Sequence, residues 1–288
     1  MKEVRMVADQ TSVSRRETPG DPRKIRVLMY HRILREEMTP PSHRYWLLTK
    51  DFRRHLKYLT QFGYTSITFE DYWLHKHGQK PLPRKPVVIT FDDGYLDTYT
   101  EAFPIVREFG MKAVVFAVAD PDVRESFWDK DKPNSVVPLM TAEQLLELRN
   151  AGWEIGSHSL HHRNLSQLSP EEAWDEISRS KSILEYALHS PVRSFCYPYG
   201  SINQTVKKMV QDAGYTVAVA AWAGPPVFGK DDFLIRRIAV IKKHHFLVMQ
   251  YAIKLMSIYL YSRWAWWRIR TFLYSMHIGT AHDLEIIR

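Results

Sequence analysis

Short apolar segments alternate with segments of helical spacing from residue 25 onward. The apolar segments are rich in β-branched and aromatic residues and end in polar clusters, which is typical of buried strands. They cover residues 25–31, 64–69, 87–91, 113–118, 153–158, 193–200, 216–222 and 234–240.

The segments between them carry helix signals. Residues 51–62 place Phe52, Leu56 and Leu59 on one face, and a helix through Phe103 and Val106 ends at Gly110. Residues 141–144 fit a capping box, and residues 169–172 supply a Ser N-cap, a Pro at the first helical position and a Glu at the third. Buried strands separated by helices predict an α/β fold, a mostly parallel barrel with its helices outside.

Composition narrows the class of protein. The chain has 288 residues, 45% of them hydrophobic and 25% charged, which excludes a disordered or fibrous protein. A single cysteine, Cys196, excludes an internal disulfide. The net charge of +8 favours anionic partners such as phosphates, anionic lipid or charged glycans, and charge alone is too weak a reason to expect nucleic acid.

The two ends of the chain differ from its middle. Residues 1–24 mix both charge signs without the apolar run of a signal peptide, which predicts a polar, poorly ordered arm and a cytoplasmic protein. Residues 241–288 are basic and rich in Trp and Tyr, and we predict a helical segment there. It either contacts an anionic membrane at its inner face or packs over the barrel. The predicted barrel domain therefore covers residues 25–240.

Polar residues stand where several of the predicted strands end. They are His31, Asp92, Asp93, His158 and Tyr199. In a parallel barrel the carboxyl ends of the strands converge on one face, where enzymes of this architecture place their chemistry. This distribution predicts an active site.

The segment 158–162, His-Ser-Leu-His-His, offers two imidazoles four residues apart. On a helical turn His158 and His162 point the same way, as two ligands of one metal do. The spacing alone is more typical of a solvated polar loop that happens to contain three histidines. Together with a carboxylate from Asp92 or Asp93 it predicts a facial three-ligand metal set, and the other carboxylate is left to act as a base.

Four motifs in order resemble those of the polysaccharide deacetylases, the NodB-homology family of carbohydrate esterases. They are LMYHRI at 28–33, TFDDGY at 90–95, HSLHH at 158–162 and YPYG at 197–200. The resemblance implies a distorted (β/α) barrel, a divalent metal, commonly zinc, and hydrolysis of N-acetyl groups on amino sugars. It implies Asp92 as the general base and the backbone N–H of Tyr199 in the oxyanion hole. The implied metal ligands are Asp93, His158 and His162.

The chain departs from the family pattern at two places. Cys196 stands where many members have an Arg that contacts the base, and Arg236 or Arg237 is the expected replacement. The late Leu-x-His that carries the general acid is not evident, so the acid stays unassigned. The remaining histidines that could serve are His244, His245, His277 and His282.

The prediction is a metal-dependent hydrolase that removes N-acetyl groups from an amino sugar in a polysaccharide or a lipid-linked glycan precursor. The alternatives are an O-deacetylase or deformylase on a related glycan, and a non-catalytic, metal-containing carbohydrate-binding homologue. Residues expected to contact substrate are His31, Tyr95, Pro198, Arg236 and Arg237.

Overall fold

The computed structural model of the protein describes residues 20–221, 223–225, 227–241 and 265. Its strands are β1 Arg26–Tyr30, β2 Arg32–Leu34, β3 Trp46–Leu48, β4 Thr65–Ser66, β5 Pro86–Phe91, β6 Val114–Ala117, β7 Glu154–Ser157, β8 Ser194–Cys196, β9 Val217–Ala220, β10 Ile235–Arg236 and β11 Ile238–Ala239. Its α-helices are α1 Thr49–Gln61, α2 Phe69–Lys76, α3 Phe103–Glu108, α4 Ala142–Asn150, α5 Pro170–Leu188 and α6 Gln204–Asp212.

The main sheet is parallel and nearly closed. Its strand order is β10-β9-β8-β7-β6-β5-β1-β11, and β4 pairs with β5 beside this path. The strands at the two ends of the order, β10 and β11, are separated in the chain by Arg237 alone. One pairs with β9 and the other with β1, so the short segment spans the gap between the two edges of the sheet. The predicted barrel with surrounding helices is confirmed.

Alternation along the strands divides the core into two layers. Ile89 of β5 belongs to the same core cluster as Leu56 of α1 and Ile177 of α5, in the layer between the sheet and its helices. Val88, whose side chain points to the opposite face, packs with Val219 and other strand residues in a second cluster. Both faces of the strands are therefore buried, and each fully buried Val, Ile or Leu side chain contributes about 1.5–3 kcal/mol.

Two sequence predictions about strands need correction. Residues 64–69 form a strand only over Thr65–Ser66, because the Thr68 side chain caps α2 and Phe69 begins that helix. The segment 234–240 is two short strands instead of one. Helix α6 was not predicted, although Asn203 caps it by accepting a hydrogen bond from the Val206 N–H. The capping box that begins α4 and the Ser169 N-cap that begins α5 are confirmed.

The chain termini are largely outside this description. Residues 1–19 and, apart from residues 241 and 265, the basic segment 241–288 lie outside the described residues, as do His244, His245, His277 and His282. The boundaries of the arm, the barrel domain and the basic segment therefore stay predictions. In the described part of the chain, we find no helix whose length and apolarity would let it span a bilayer.

Candidate metal centre and active site

Polar residues directly follow the carboxyl ends of two central strands, β5 and β7. Asp92 follows β5, and its N–H donates to the Tyr30 carbonyl of β1 at 3.1 Å. His158 follows β7, and its N–H donates to the Ala117 carbonyl of β6 at 2.8 Å. Because the ladder hydrogen bonds continue one residue past each strand, the side chains of Asp92 and His158 leave the sheet in fixed directions.

One carboxylate oxygen lies between two imidazoles at this face. Oδ1 of Asp93 is 3.1 Å from Nε2 of His158 and 3.2 Å from Nε2 of His162. All three residues are buried, and their potential ligand atoms lie within 4.8 Å of one another. Two imidazole nitrogens and a carboxylate oxygen form the donor set of catalytic zinc sites, which keep a further position for water or substrate. The residues present therefore fit a divalent metal ion.

Burial and hydrogen bonds shift the pKa values of Asp93 and His162. Burial opposes ionisation of Asp93, but hydrogen bonds from His158 and His162 outweigh it and hold the pKa of Asp93 well below its usual value. Burial also lowers the pKa of His162, which favours the neutral imidazole that a metal requires. His158 places Nδ1 2.8 Å from the Cys196 carbonyl, so that Nε2 faces Asp93. Such a contact from the second nitrogen is how metal-ligating histidines are usually oriented.

The histidine segment is an irregular loop, not the helical turn from which its spacing was interpreted. Ser159 and His162 have left-handed backbones, with φ of 65° and 58°. His162 donates its N–H to Oγ of Ser159 at 3.0 Å, which closes the loop on itself. The two imidazoles converge because the chain reverses direction in this loop. The i,i+4 geometry of a helix does not bring them together.

Asp92 binds a buried guanidinium and is not part of the group formed by Asp93, His158 and His162. Arg237, between β10 and β11, donates from Nη1 to Oδ1 at 2.6 Å and from Nη2 to Oδ2 at 2.7 Å. Burial opposes ionisation of Asp92, but the charge and hydrogen bonds of Arg237 exceed this effect, so the pKa of Asp92 lies below its usual value. Of the two arginines predicted to replace the missing one, Arg237 takes this position, whereas Nε of Arg236 donates to the Gly224 carbonyl at 3.0 Å.

A second group of possible ligands, Asp92, His158 and Cys196, is disfavoured by the same arginine. Nη2 of Arg237 lies 3.2 Å from Sγ of Cys196 as well as against Asp92. A metal cation bound there would sit against a buried guanidinium. Burial raises the pKa of the Cys196 thiol, so it stays neutral and is a poor ligand or nucleophile.

His31 lies on the open side of Asp92. Its Nε2 is 3.9 Å from Oδ2 of Asp92, its ring stacks on Tyr45 at 4.7 Å, and 15% of its side chain is exposed. Aromatic rings also enclose His162: Trp128 stacks on it at 4.3 Å and Tyr199 meets its edge at 4.7 Å. Sequence reasoning missed Tyr45, which lies in the loop before β3, and Trp128, which lies in a short 3-10 helix, because neither belongs to a motif.

The other predicted substrate contacts are less accessible. Tyr95 is buried and donates its hydroxyl to Asp129 at 3.3 Å. Pro198 is buried in the turn that follows β8, and Arg236 and Arg237 are buried as described. Tyr199, by contrast, lies in that turn with a left-handed backbone and an exposed ring. The structure therefore leaves His31 and Tyr199 as the predicted residues that face solvent beside Asp92 and His162.

Comparison with known proteins agrees with this site. Residues 79–218 match the model of the polysaccharide deacetylase family. The chain is 30% identical over 220 residues to YxkH of Bacillus subtilis, whose name assigns it to the polysaccharide deacetylases; the match covers 76% of this chain and 72% of YxkH. This chain belongs to the polysaccharide deacetylase family. The predicted family resemblance is thus confirmed, as is the prediction of a hydrolase of this class.

More distant members have more specific names. A Staphylococcus aureus poly-beta-1,6-N-acetyl-D-glucosamine N-deacetylase is 22% identical over 205 residues, 68% of each chain. The structure of the Streptococcus pyogenes deacetylase PplD in complex with acetate is similar with a TM-score of 0.68 and 23% identity, over 82% of this chain and 99% of PplD. IcaB from Ammonifex degensii has a TM-score of 0.65 and 23% identity, over 84% and 97% of the two chains. These structural similarities establish the polysaccharide deacetylase fold.

Proposed function

We propose that this protein is a zinc-dependent hydrolase that removes N-acetyl groups from an amino sugar of a polysaccharide or lipid-linked glycan. The observation that carries the proposal is the division between two adjacent carboxylates. Asp93 faces His158 and His162, while Asp92 is held by Arg237. One carboxylate is thereby placed to bind a metal and its neighbour to accept a proton, as amide hydrolysis requires.

The residues around the metal set have separate tasks. Asp93, His158 and His162 would hold a divalent ion, which would supply an acidic water and a Lewis acid for the carbonyl of the substrate. Asp92, ionised through the neutral range because of Arg237, accepts the proton of the attacking water. The Tyr199 N–H donates to the developing oxyanion, and one such donor is worth about 3–4 kcal/mol.

We assign the general acid to His31. Its Nε2 lies 3.9 Å from Asp92 and its ring is held by stacking on Tyr45, so it faces the same substrate position as the base. An amine leaving group needs a proton as the C–N bond breaks, whereas an ester needs this help less. A second proton carrier beside Asp92 therefore favours N-deacetylation over O-deacetylation, and it fills the role left open by the missing Leu-x-His.

The amino-sugar class is supported by relatives with that activity in their names. Poly-beta-1,6-N-acetyl-D-glucosamine N-deacetylases of Staphylococcus aureus cover two thirds of this chain. Stacking rings such as Trp128 and the exposed Tyr199 beside His162 are suited to a pyranose. A non-catalytic role is not favoured, because Arg237 supplies the contact to Asp92 that the missing motif arginine would make.

Acetate release from a panel of sugars tests the proposal. Purified protein, stripped with a chelator and reloaded with zinc, is given N-acetylglucosamine oligomers, their O-acetylated and N-formylated counterparts, and acetylated xylan oligomers. We expect acetate from the N-acetylated oligomers, loss of activity after stripping, and recovery with zinc. Faster release from the O-acetyl or formyl substrates would support the alternative esterase or deformylase, and no release from any would support a binding protein.

A further inference from the structure

The two histidines of the metal set are oriented by different means. His158 has a hydrogen bond from its second ring nitrogen to the Cys196 carbonyl at 2.8 Å. His162 has no such bond: among the described residues, its buried Nδ1 has no hydrogen-bond partner. Its direction therefore depends on its backbone, which is left-handed with φ of 58°, and on the rings of Trp128 and Tyr199.

A buried carboxylate from another element fixes that backbone. Glu176 of α5 is only 3% exposed, and its Oε2 accepts from the N–H of Leu160 at 3.0 Å and of His161 at 2.8 Å. Its Oε1 lies 2.7 Å from Nδ1 of His161. One side chain thus engages both residues that precede His162. A carboxylate is a stronger acceptor of backbone N–H groups than a neutral oxygen.

A second carboxylate holds the far side of the same segment. Oδ2 of Asp120 lies 2.8 Å from Nε2 of His161, so the imidazole of His161 bridges Asp120 and Glu176. The backbone N–H of Asp120 also donates to the Leu160 carbonyl at 3.2 Å. The loop is thereby tied on one side to α5 and on the other to the segment after β6.

We propose that Glu176 is the positioning residue for His162: it holds the left-handed loop so that Nε2 of His162 faces Asp93. Asp120 supports it through His161. A non-glycine left-handed residue persists only where surrounding contacts over-determine it, and Glu176 supplies three of these contacts, to the two residues before His162. The proposal rests on the metal site proposed above, and it concerns how one ligand of that site is kept in place.

Metal affinity measured on the folded full-length chain tests this role. Zinc and cobalt are titrated into metal-free protein against a chromophoric chelator, and the absorption of bound cobalt reports the geometry of the ligands. We expect Glu176→Ala to raise the Kd for zinc about 10- to 100-fold, the range for residues that orient metal ligands. Glu176→Gln keeps the shape and an acceptor oxygen, so we expect a smaller rise of about 3- to 10-fold.

Ser169→Ala is the matched control, because it removes the N-cap of the same helix without touching Glu176. It should lower thermal stability while leaving the Kd and the cobalt spectrum unchanged. The proposal is wrong if both Glu176 variants bind zinc within twofold of wild type, or if Ser169→Ala weakens binding as much. If Glu176→Ala does not fold, Glu176→Gln alone tests the proposal, and a Kd for zinc within twofold of wild type contradicts it. Wild-type protein that binds no zinc would refute the proposed metal site instead.

Discussion

Arg237 clamps Asp92 through both of its terminal nitrogens, at 2.6 and 2.7 Å. It reaches the barrel interior from the single residue between β10 and β11 and also donates to Oγ1 of Thr90 at 3.1 Å. The residue that tunes the proposed base is therefore the residue that links the two edges of the barrel. The side chain of Arg237 therefore holds the proposed base, while its backbone joins the two edge strands.

Replacing Arg237 with Lys should separate base tuning from metal binding. Lys cannot make the two parallel hydrogen bonds, so burial of Asp92 is less well opposed and its pKa rises. We expect the acid limb of the kcat/KM profile to move to higher pH and kcat to fall about 10- to 100-fold. Metal content should stay at the wild-type level. The neighbouring Arg236→Lys is the control, and an equal shift in that variant would contradict this account.

Loss of one imidazole should abolish the metal site. His162→Ala leaves Asp93 and His158, and two protein ligands do not hold zinc tightly. We expect stoichiometric zinc in the wild type, little in the variant, and parallel loss of acetate release. Elemental analysis after dialysis against a weak chelator measures this. One tightly bound zinc in His162→Ala would show that the ligand set is wrong.

The buried ion pair of Arg32 and Asp97 should make stability depend on pH. The two are 2.7 Å apart, yet burial outweighs the arginine and raises the pKa of Asp97 to about 6. A raised carboxyl pKa contributes stability fully below its unfolded value, near 4, and this contribution is lost as pH rises through about 6.

Asp97→Asn removes this titration. We expect the difference in unfolding free energy between wild type and variant to shrink by at most about 3 kcal/mol between pH 4 and 7. Urea unfolding across that range measures it. A difference that is constant or grows with pH would contradict the raised pKa.

Cys196 should be dispensable for chemistry. Burial keeps its thiol neutral, and it is packed beneath Arg237 and Asp92. Cys196→Ala should keep kcat within a few-fold and cost about 1 kcal/mol of stability for the small cavity. Steady-state kinetics and thermal unfolding check both values. A loss of turnover comparable to that of Arg237→Lys would mean that the sulfur takes part in tuning Asp92.

Sequence pattern predicted most of the strands because their residues are buried on both faces and read as continuous apolar runs. β5, Pro86–Phe91, is wholly buried and follows this rule. The rule fails where a side-chain hydrogen bond determines the local secondary structure. Residues 64–69 look like a strand, but the Thr68 cap converts the end of that segment to helix.

The sequence predicts those residues of the candidate site that belong to local motifs. Residues at strand ends converge because the strands are parallel, so Asp92, Asp93 and His158 could be grouped before the structure was known. The choice of Arg237 over Arg236 could not be made, since it depends on which of two adjacent residues interrupts the split strand β10–β11. Glu176 and Trp128 were missed because their contacts with the histidine loop join residues distant in sequence.

The most direct test of the account compares metal content and acetate release in Asp92→Asn. The variant removes the proposed base but none of the proposed ligands, so we expect one equivalent of zinc per chain, as in the wild type. Acetate release from N-acetylglucosamine oligomers should fall about 10²- to 10⁴-fold. Near-wild-type release with zinc bound would show that Asp92 is not the base, and loss of zinc would show that the two carboxylates do not divide their tasks as the structure indicates.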